Sequence, residues 1–188
     1  MSLRKKLKTI RENEQKIYEA GVNQGKAEYG RLVRSLLDRS ITAFTLPTGL
    51  TSIGEGAFDG CCDLVIAELP DSIKSIGSRA FYNCRHLNPS ALPSGLTCIE
   101  ESAFQYCYLL GSNGFRELPA GITTIADYGF YNCDSLQLTA LPDNLVRIGD
   151  YAFSYCVDLQ LTALPDSLTS FGNHAFPIAE SLPLRSCR

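Results

Sequence analysis

The feature that most limits what this chain can fold into is a unit of 23 residues repeated six times. The dipeptide Leu-Pro recurs with its leucine at Leu46, Leu69, Leu92, Leu118, Leu141 and Leu164, so the spacings are 23, 23, 26, 23 and 23 residues. A fixed period of this size marks a solenoid or an array, because one short unit cannot bury its own apolar side and has to share a core with its neighbours. Hydrophobic residues make up 45% of the sequence, enough to line such a core.

Registering the copies on Leu-Pro aligns further columns. Phenylalanine stands at Phe58, Phe81, Phe104, Phe130, Phe153 and Phe176, each preceded by a small residue (Ala57, Ala80, Ala103, Gly129, Ala152, Ala175). Three residues after phenylalanine comes cysteine at Cys61, Cys84, Cys107, Cys133 and Cys156, and three further on leucine at Leu64, Leu87, Leu110, Leu136 and Leu159. Each column is expected to form a ladder in a core shared by stacked coils. The apolar stretch ending in Leu-Pro is predicted to be the strand, with proline where pairing stops. Gly54, Gly77, Gly149 and Gly172 fall at a corner where a positive φ would be tolerated, whereas Glu100 and Ala126 replace glycine in the same column.

The unit L-P-x-x-[LI]-x-x-[IF]-G-x-x-A-F-x-x-C-x-x-L resembles the 23-residue leucine-rich repeats of the BspA-like bacterial surface-antigen class, which also carry an A-F-x-x-C core. The resemblance spans residues 41–179. It implies a repeat solenoid of short parallel strands stacked in a right-handed coil, mostly strand and turn. It also implies a non-catalytic module that offers a rigid surface to a protein or glycan. One departure concerns the strand: the family places Ile or Val six residues after the cysteine, where Ala67, Ser90, Thr139 and Thr162 stand here. Ile66, Leu138 and Leu161 lie one residue earlier, which predicts a local change of register.

Charge divides the chain. Residues 1–40 hold ten Lys/Arg against five Asp/Glu, whereas residues 41–188 hold seven against fifteen. A basic helical segment with a cap (1–40) is therefore expected ahead of a solenoid (41–188) of about six repeats, the last incomplete. Tyr29, Leu32, Val33, Leu36 and Leu37 have helical spacing and could cover the first coil, while Leu3, Leu7, Ile10 and Ile17 fit a short heptad seam. The seam supports an alternative function, an assembly component that self-associates through residues 1–26. The Tyr18–Tyr29 stretch resembles N-terminal segments of repeat proteins from gut-bacterial and bacteriophage genomes, which gives that alternative a phage-related setting. At the other end Pro177 interrupts the unit and Ala179 takes the cysteine position.

No run of apolar residues reaches membrane-spanning length, and the basic N-terminus lacks the apolar middle of a secretory signal. As sequenced, a cytoplasmic chain with reduced cysteines is expected, while the family resemblance leaves a surface or extracellular location open. Arg4, Lys5, Lys6, Lys8, Arg11 and Lys16 have no aromatic platform beside them, which argues against nucleic acid.

Candidate chemistry is sparse. The cysteine ladder lacks the local pairs typical of zinc sites, so buried, apolar thiols and no cofactor are expected. Cys98 falls outside the ladder, and neither His86 nor His174 shares its column, so a nucleophile–base pair is not supported and no enzyme is expected. The Gly54–Gly60 run matches repeat corners and not a phosphate loop. A polar column three residues before phenylalanine (Glu55, Ser78, Glu101, Asp127, Asp150, Asn173) reads as a solvated face. Tyr82, Tyr106, Tyr131 and Tyr155 follow phenylalanine by one or two places, with Tyr128 and Tyr151 two places before it. Tyrosine is enriched at interfaces, so these residues are candidates for an interaction surface. Asn113 and Phe115 join them, because the three extra residues fall between Tyr108 and Glu117 and insertions in repeats map to loops. Phe115 also reads as a displaced core residue.

Overall fold

The structure, a computed structural model, describes residue 46 and residues 49–177. The expected N-terminal helix and cap, the heptad seam, and the tail after Pro177 lie outside the described residues. Within them the chain is a leucine-rich-repeat solenoid with short parallel strands. Six strands appear in order: β1 (Ser52–Ile53), β2 (Ser75–Ile76), β3 (Cys98–Ile99), β4 (Thr124–Ile125), β5 (Arg147–Ile148) and β6 (Ser170–Phe171). Like residues face like: Ile53 pairs with Ile76, Ile99 with Ile125, and Ile125 with Ile148.

The strands do not lie where the Leu-Pro stretch predicted. They precede the corner glycine, and the Leu-Pro stretch carries isolated inter-coil bonds such as Ser90 N to Ala67 O (2.9 Å) and Gln160 N to Leu138 O (3.0 Å). Those two bonds differ in register by one residue, which blocks a continuous ladder there. The inward position of this segment lies three residues before each leucine of Leu-Pro, at Ile66, Pro89, Phe115, Leu138 and Leu161, all buried. The anticipated shift of register is therefore the rule of this chain, and it includes the coil with the insertion.

The corner glycines also have a different reason from the one expected. None has a positive φ; they matter because the preceding coil leaves no room for a side chain. A Cβ on Gly77 would come 2.7 Å from the Glu55 nitrogen, and one on Gly149 would come 2.6 Å from the Ala126 carbonyl carbon. Such separations force the coils apart, so Gly149→Ala is expected to destabilise the protein by about 1–3 kcal/mol. A lowered urea midpoint checks this, and an unchanged one would refute the close-approach account. The sheet is interrupted between β2 and β3, giving a two-stranded and a four-stranded group. Glu100 replaces the corner glycine at that junction. Ala126 keeps its bond to Ile99 O (2.8 Å), so a Cβ in this column does not by itself break the ladder.

Phenylalanine rings form the spine. Successive centroids from Phe58 to Phe176 lie 5.1, 5.5, 5.4, 5.5 and 5.9 Å apart, all stacked. Phe58, Phe81, Phe104, Phe130 and Phe153 are fully buried, while Phe176 in the last described coil is half-buried. The backbone around each ring alternates in its bonding. In the second coil the Arg79, Phe81 and Asn83 amides donate to Glu101, Ala103 and Gln105 of the next coil, while the Ala80, Tyr82 and Cys84 amides close turns onto Gly77, Arg79 and Phe81. This alternation requires a left-handed residue two places before and two places after phenylalanine. The first column is Gly56, Arg79, Ser102, Tyr128, Tyr151 and His174, and the second is Gly60, Asn83, Tyr106, Asn132 and Tyr155.

Cysteine completes the spine. The Cys84, Cys107, Cys133 and Cys156 thiols donate to the preceding coil's phenylalanine carbonyl at 3.0, 3.1, 3.0 and 3.0 Å. All four are buried, and burial pushes their ionisation upward, for Cys156 to about 12. Cys61, in the first coil, is half-buried.

Candidate functional site

The phenylalanines, the small residue before each of them and the ladder cysteines turn inward, while the tyrosines one or two places after phenylalanine and two places before it stay partly exposed. Tyrosine alternates between two columns there. Tyr82 and Tyr131 lie one residue after phenylalanine, and Tyr106 and Tyr155 lie two after it, in successive coils. The alternation sets neighbouring rings edge to face: Tyr82–Tyr106 at 5.5 Å and 84°, Tyr106–Tyr131 at 5.6 Å and 89°, Tyr131–Tyr155 at 5.4 Å and 69°. A second row starts from the column two places before phenylalanine. Tyr128 stacks on Tyr151 at 5.2 Å, Tyr151 stacks on His174 at 5.1 Å, and Tyr128 meets Tyr131 at 5.5 Å. The two rows form one continuous aromatic ridge along the coils, partly exposed throughout and 55% exposed at Tyr155. Partial burial among its ring neighbours raises the ionisation of the Tyr131 phenol.

Two members of the acidic column are tied to the backbone. Asp127 Oδ1 accepts the Asp150 amide (2.9 Å), and Asp150 Oδ1 accepts the Asn173 amide (2.7 Å). These carboxylates are fixed beside Tyr128 and Tyr151, and among the described residues their second oxygens accept nothing. At the other end of the ridge Arg79 lies over the Tyr82 ring, 3.8 Å from its centroid, and pairs with Asp59 at 3.2 Å. Arg85 approaches Tyr108 at 5.8 Å.

The insertion divides its two candidates. Asn113 is exposed and donates to Asn88 O (3.1 Å), while Asn88 donates to Ser112 Oγ (2.8 Å), so the loop is pinned to the preceding coil. Phe115 is only 5% exposed. It fills the inward column of Ile66 and Leu138 and so leaves the candidate surface, because the extra residues are taken up at Gly111–Gly114 before it.

The remaining reactive groups stay apart. Cys98 donates to Glu100 Oε1 (3.1 Å), His86 lies 3.0 Å from Cys62 O and 3.7 Å from Asp63, and His174 ends the tyrosine stack. Among the described residues no group of three His, Cys, Asp or Glu could hold a metal ion, and no helix is long and apolar enough to cross a membrane.

The signal that sequence reading left unused is the left-handed backbone. Tyr106, Tyr128, Tyr151 and Tyr155 have φ of 63°, 57°, 56° and 61° in columns where other coils place Gly56, Gly60, Asn83 and Asn132. Glycine and asparagine recurring two places after phenylalanine, at Gly60, Asn83 and Asn132, mark that column as left-handed and make Tyr106 and Tyr155 the exceptions in it, whereas the column two places before phenylalanine also takes Arg79, Ser102 and His174.

The BspA type leucine rich repeat region matches residues 36–117 and 112–183, with 6 copies. A leucine rich cell surface protein from Faecalibacterium prausnitzii is similar in structure at 33% identity and a TM-score of 0.54, covering 71% of this chain and 32% of its own. A leucine-rich repeat protein from Eubacterium ventriosum shares the fold at 17% identity and a TM-score of 0.50, covering 79% of this chain and 46% of its own. This chain thus spans between about a third and a half of the length of these structures. Curated protein sequences give no match. On the repeat match and the stacked architecture together, the chain belongs to the BspA-type leucine-rich repeat family.

Proposed function

We propose that this chain is a non-catalytic interaction module and that the tyrosine ridge is its recognition surface for a protein or glycan. The observation that carries the reading is the backbone beneath the ridge. A left-handed conformation costs a non-glycine residue about 1 kcal/mol, yet tyrosine takes it at Tyr106, Tyr128, Tyr151 and Tyr155. Folding alone is served as well by Gly60, Asn83 and Asn132 in the column of Tyr106 and Tyr155, and by Gly56, Arg79 and Ser102 in the column of Tyr128 and Tyr151. Tyrosine adds a large, stiff, amphipathic contact surface with little entropy to lose on binding, the property that enriches it at interfaces.

The relative from Faecalibacterium prausnitzii is a cell surface protein, which supports display outside the cell for this chain too. The ladder thiols are compatible with that location, since burial and hydrogen bonding keep them protonated and inaccessible to oxidants.

A test follows from the backbone argument. The variant Tyr106→Asn, Tyr128→Asn, Tyr151→Asn, Tyr155→Asn is expected to fold with a thermal midpoint close to that of the native protein. On glycan and protein arrays probed with both, ligands held by the native chain are expected to be lost by the variant. If the variant retains every ligand, recognition lies elsewhere and the reading fails.

A further inference from the structure

The ridge is uneven along its length, and the unevenness points to a ligand. Its first half is filled by the protein's own guanidinium groups: Arg79 lies 3.8 Å over Tyr82 while pairing with Asp59, and Arg85 faces Tyr108 at 5.8 Å. Its second half repeats the receptor half of that arrangement, tyrosine beside carboxylate, without the arginine. Between residues 118 and 177 there are six aspartates against a single Lys or Arg, Arg147, which lies on β5, and one histidine, His174. Among the described residues no Lys or Arg lies over Tyr128, Tyr131, Tyr151 or Tyr155, and the His174 ring stacks on Tyr151 at the end of the row.

We infer that the surface formed by Tyr128, Tyr131, Tyr151 and Tyr155 with Asp127 and Asp150 binds the guanidinium groups of an arginine-rich peptide segment of a protein partner. The inference rests on the reading of the ridge as a recognition surface and names its partner chemistry. Four physical points support it. A planar guanidinium is attracted to tyrosine π-systems and is more weakly hydrated than an ammonium, so arginine suits the seat better than lysine. Each carboxylate keeps one oxygen for the ligand while its other oxygen is fixed by the next coil's amide, so the acceptors are already positioned. The rings are held by one another, at 5.2 Å for Tyr128–Tyr151 and 5.4 Å for Tyr131–Tyr155. Net negative charge over this half attracts a basic segment from a distance. A neutral glycan would leave the carboxylates without a charged partner, so the peptide is favoured over it.

Fluorescence anisotropy with labelled nona-arginine, nona-lysine and a neutral gluco-oligosaccharide tests the inference on the full chain. Nona-arginine is expected to bind more tightly than nona-lysine. The pair Tyr128→Asn, Tyr151→Asn and the pair Asp127→Asn, Asp150→Asn are each expected to weaken it about tenfold or more. Asparagine suits the left-handed backbone at the tyrosines and can still accept the amide at the aspartates, so both variants should fold. Asp143→Asn, Asp166→Asn removes the same charge away from the ridge and is expected to change little. Equal weakening by the two aspartate pairs would mean attraction to bulk charge alone and would overturn the seat. Absence of nona-arginine binding would overturn it too. Tyrosine-dependent binding of the oligosaccharide in that case would leave the ridge standing as a recognition surface for a different ligand, whereas the ridge itself fails only if its tyrosines prove irrelevant to every ligand on the arrays.

Discussion

Phe104→Ala is expected to lower the stability of the protein by about 3–5 kcal/mol, the cost of a cavity at a fully buried aromatic position. Phe104 stacks on Phe81 at 5.5 Å and on Phe130 at 5.4 Å, so its loss removes packing from both neighbours as well as its own burial. In a solenoid the units hold together through nearest-neighbour contacts, and a gap in the middle of the spine weakens the link between the two halves. The half-buried Phe176, which stacks on Phe153 at 5.9 Å in the last described coil, is expected to cost less when truncated. Urea unfolding of the two variants beside the native chain measures the difference. A midpoint unmoved by Phe104→Ala would show that the rings do not share a core.

That prediction could be written from the sequence because a bulky apolar residue at a fixed period can be satisfied only by stacking, and the phenylalanine and cysteine columns announced it. The strands were harder to place. Each is two residues long, too short for the alternation that normally identifies a strand, and the richer apolar run before Leu-Pro drew attention away from them. The glycine column was seen, but its reason was misjudged: close approach of the preceding coil and a left-handed backbone leave the same residue in a sequence, and only the fold separates them. The ridge was legible in part. Tyr82, Tyr106, Tyr131 and Tyr155 were recognisable as outward candidates, yet their edge-to-face chain depends on left-handed turns two places either side of phenylalanine. Gly56, Gly60, Asn83 and Asn132 hinted at those turns. Phe115 was ambiguous for a plain reason, since an insertion of three residues can be looped out before or after an aromatic residue, and the pair Gly111 and Gly114, with φ of 94° and 97°, places the loop before it.

The thiol ladder leads to a second large effect, a steep loss of stability in alkali. Cys84, Cys107, Cys133 and Cys156 each hold a proton that donates to a phenylalanine carbonyl, and burial raises their ionisation above the ordinary value of 9.0. The folded state therefore keeps protons that the unfolded chain releases. Their contribution is fully present below pH ~9, where the unfolded thiols are also protonated, and is lost as pH rises toward the folded values, for Cys156 about 12. Each thiol is expected to add on the order of 1 kcal/mol per pH unit to the slope in that window. Tyrosines and lysine also titrate there, so the decisive comparison is with Cys84→Ser, Cys107→Ser, Cys133→Ser, Cys156→Ser, whose hydroxyls can donate to the same carbonyls but do not ionise. Urea midpoints measured from pH 8 to 10.5 are expected to fall much less in this variant than in the native protein. Parallel slopes would mean that the thiols are not held protonated by the fold. The same argument explains why cysteine suits the position: a small apolar group with one weak donor fits a buried site that offers a single carbonyl, and its reactivity is suppressed by the burial that makes it useful there.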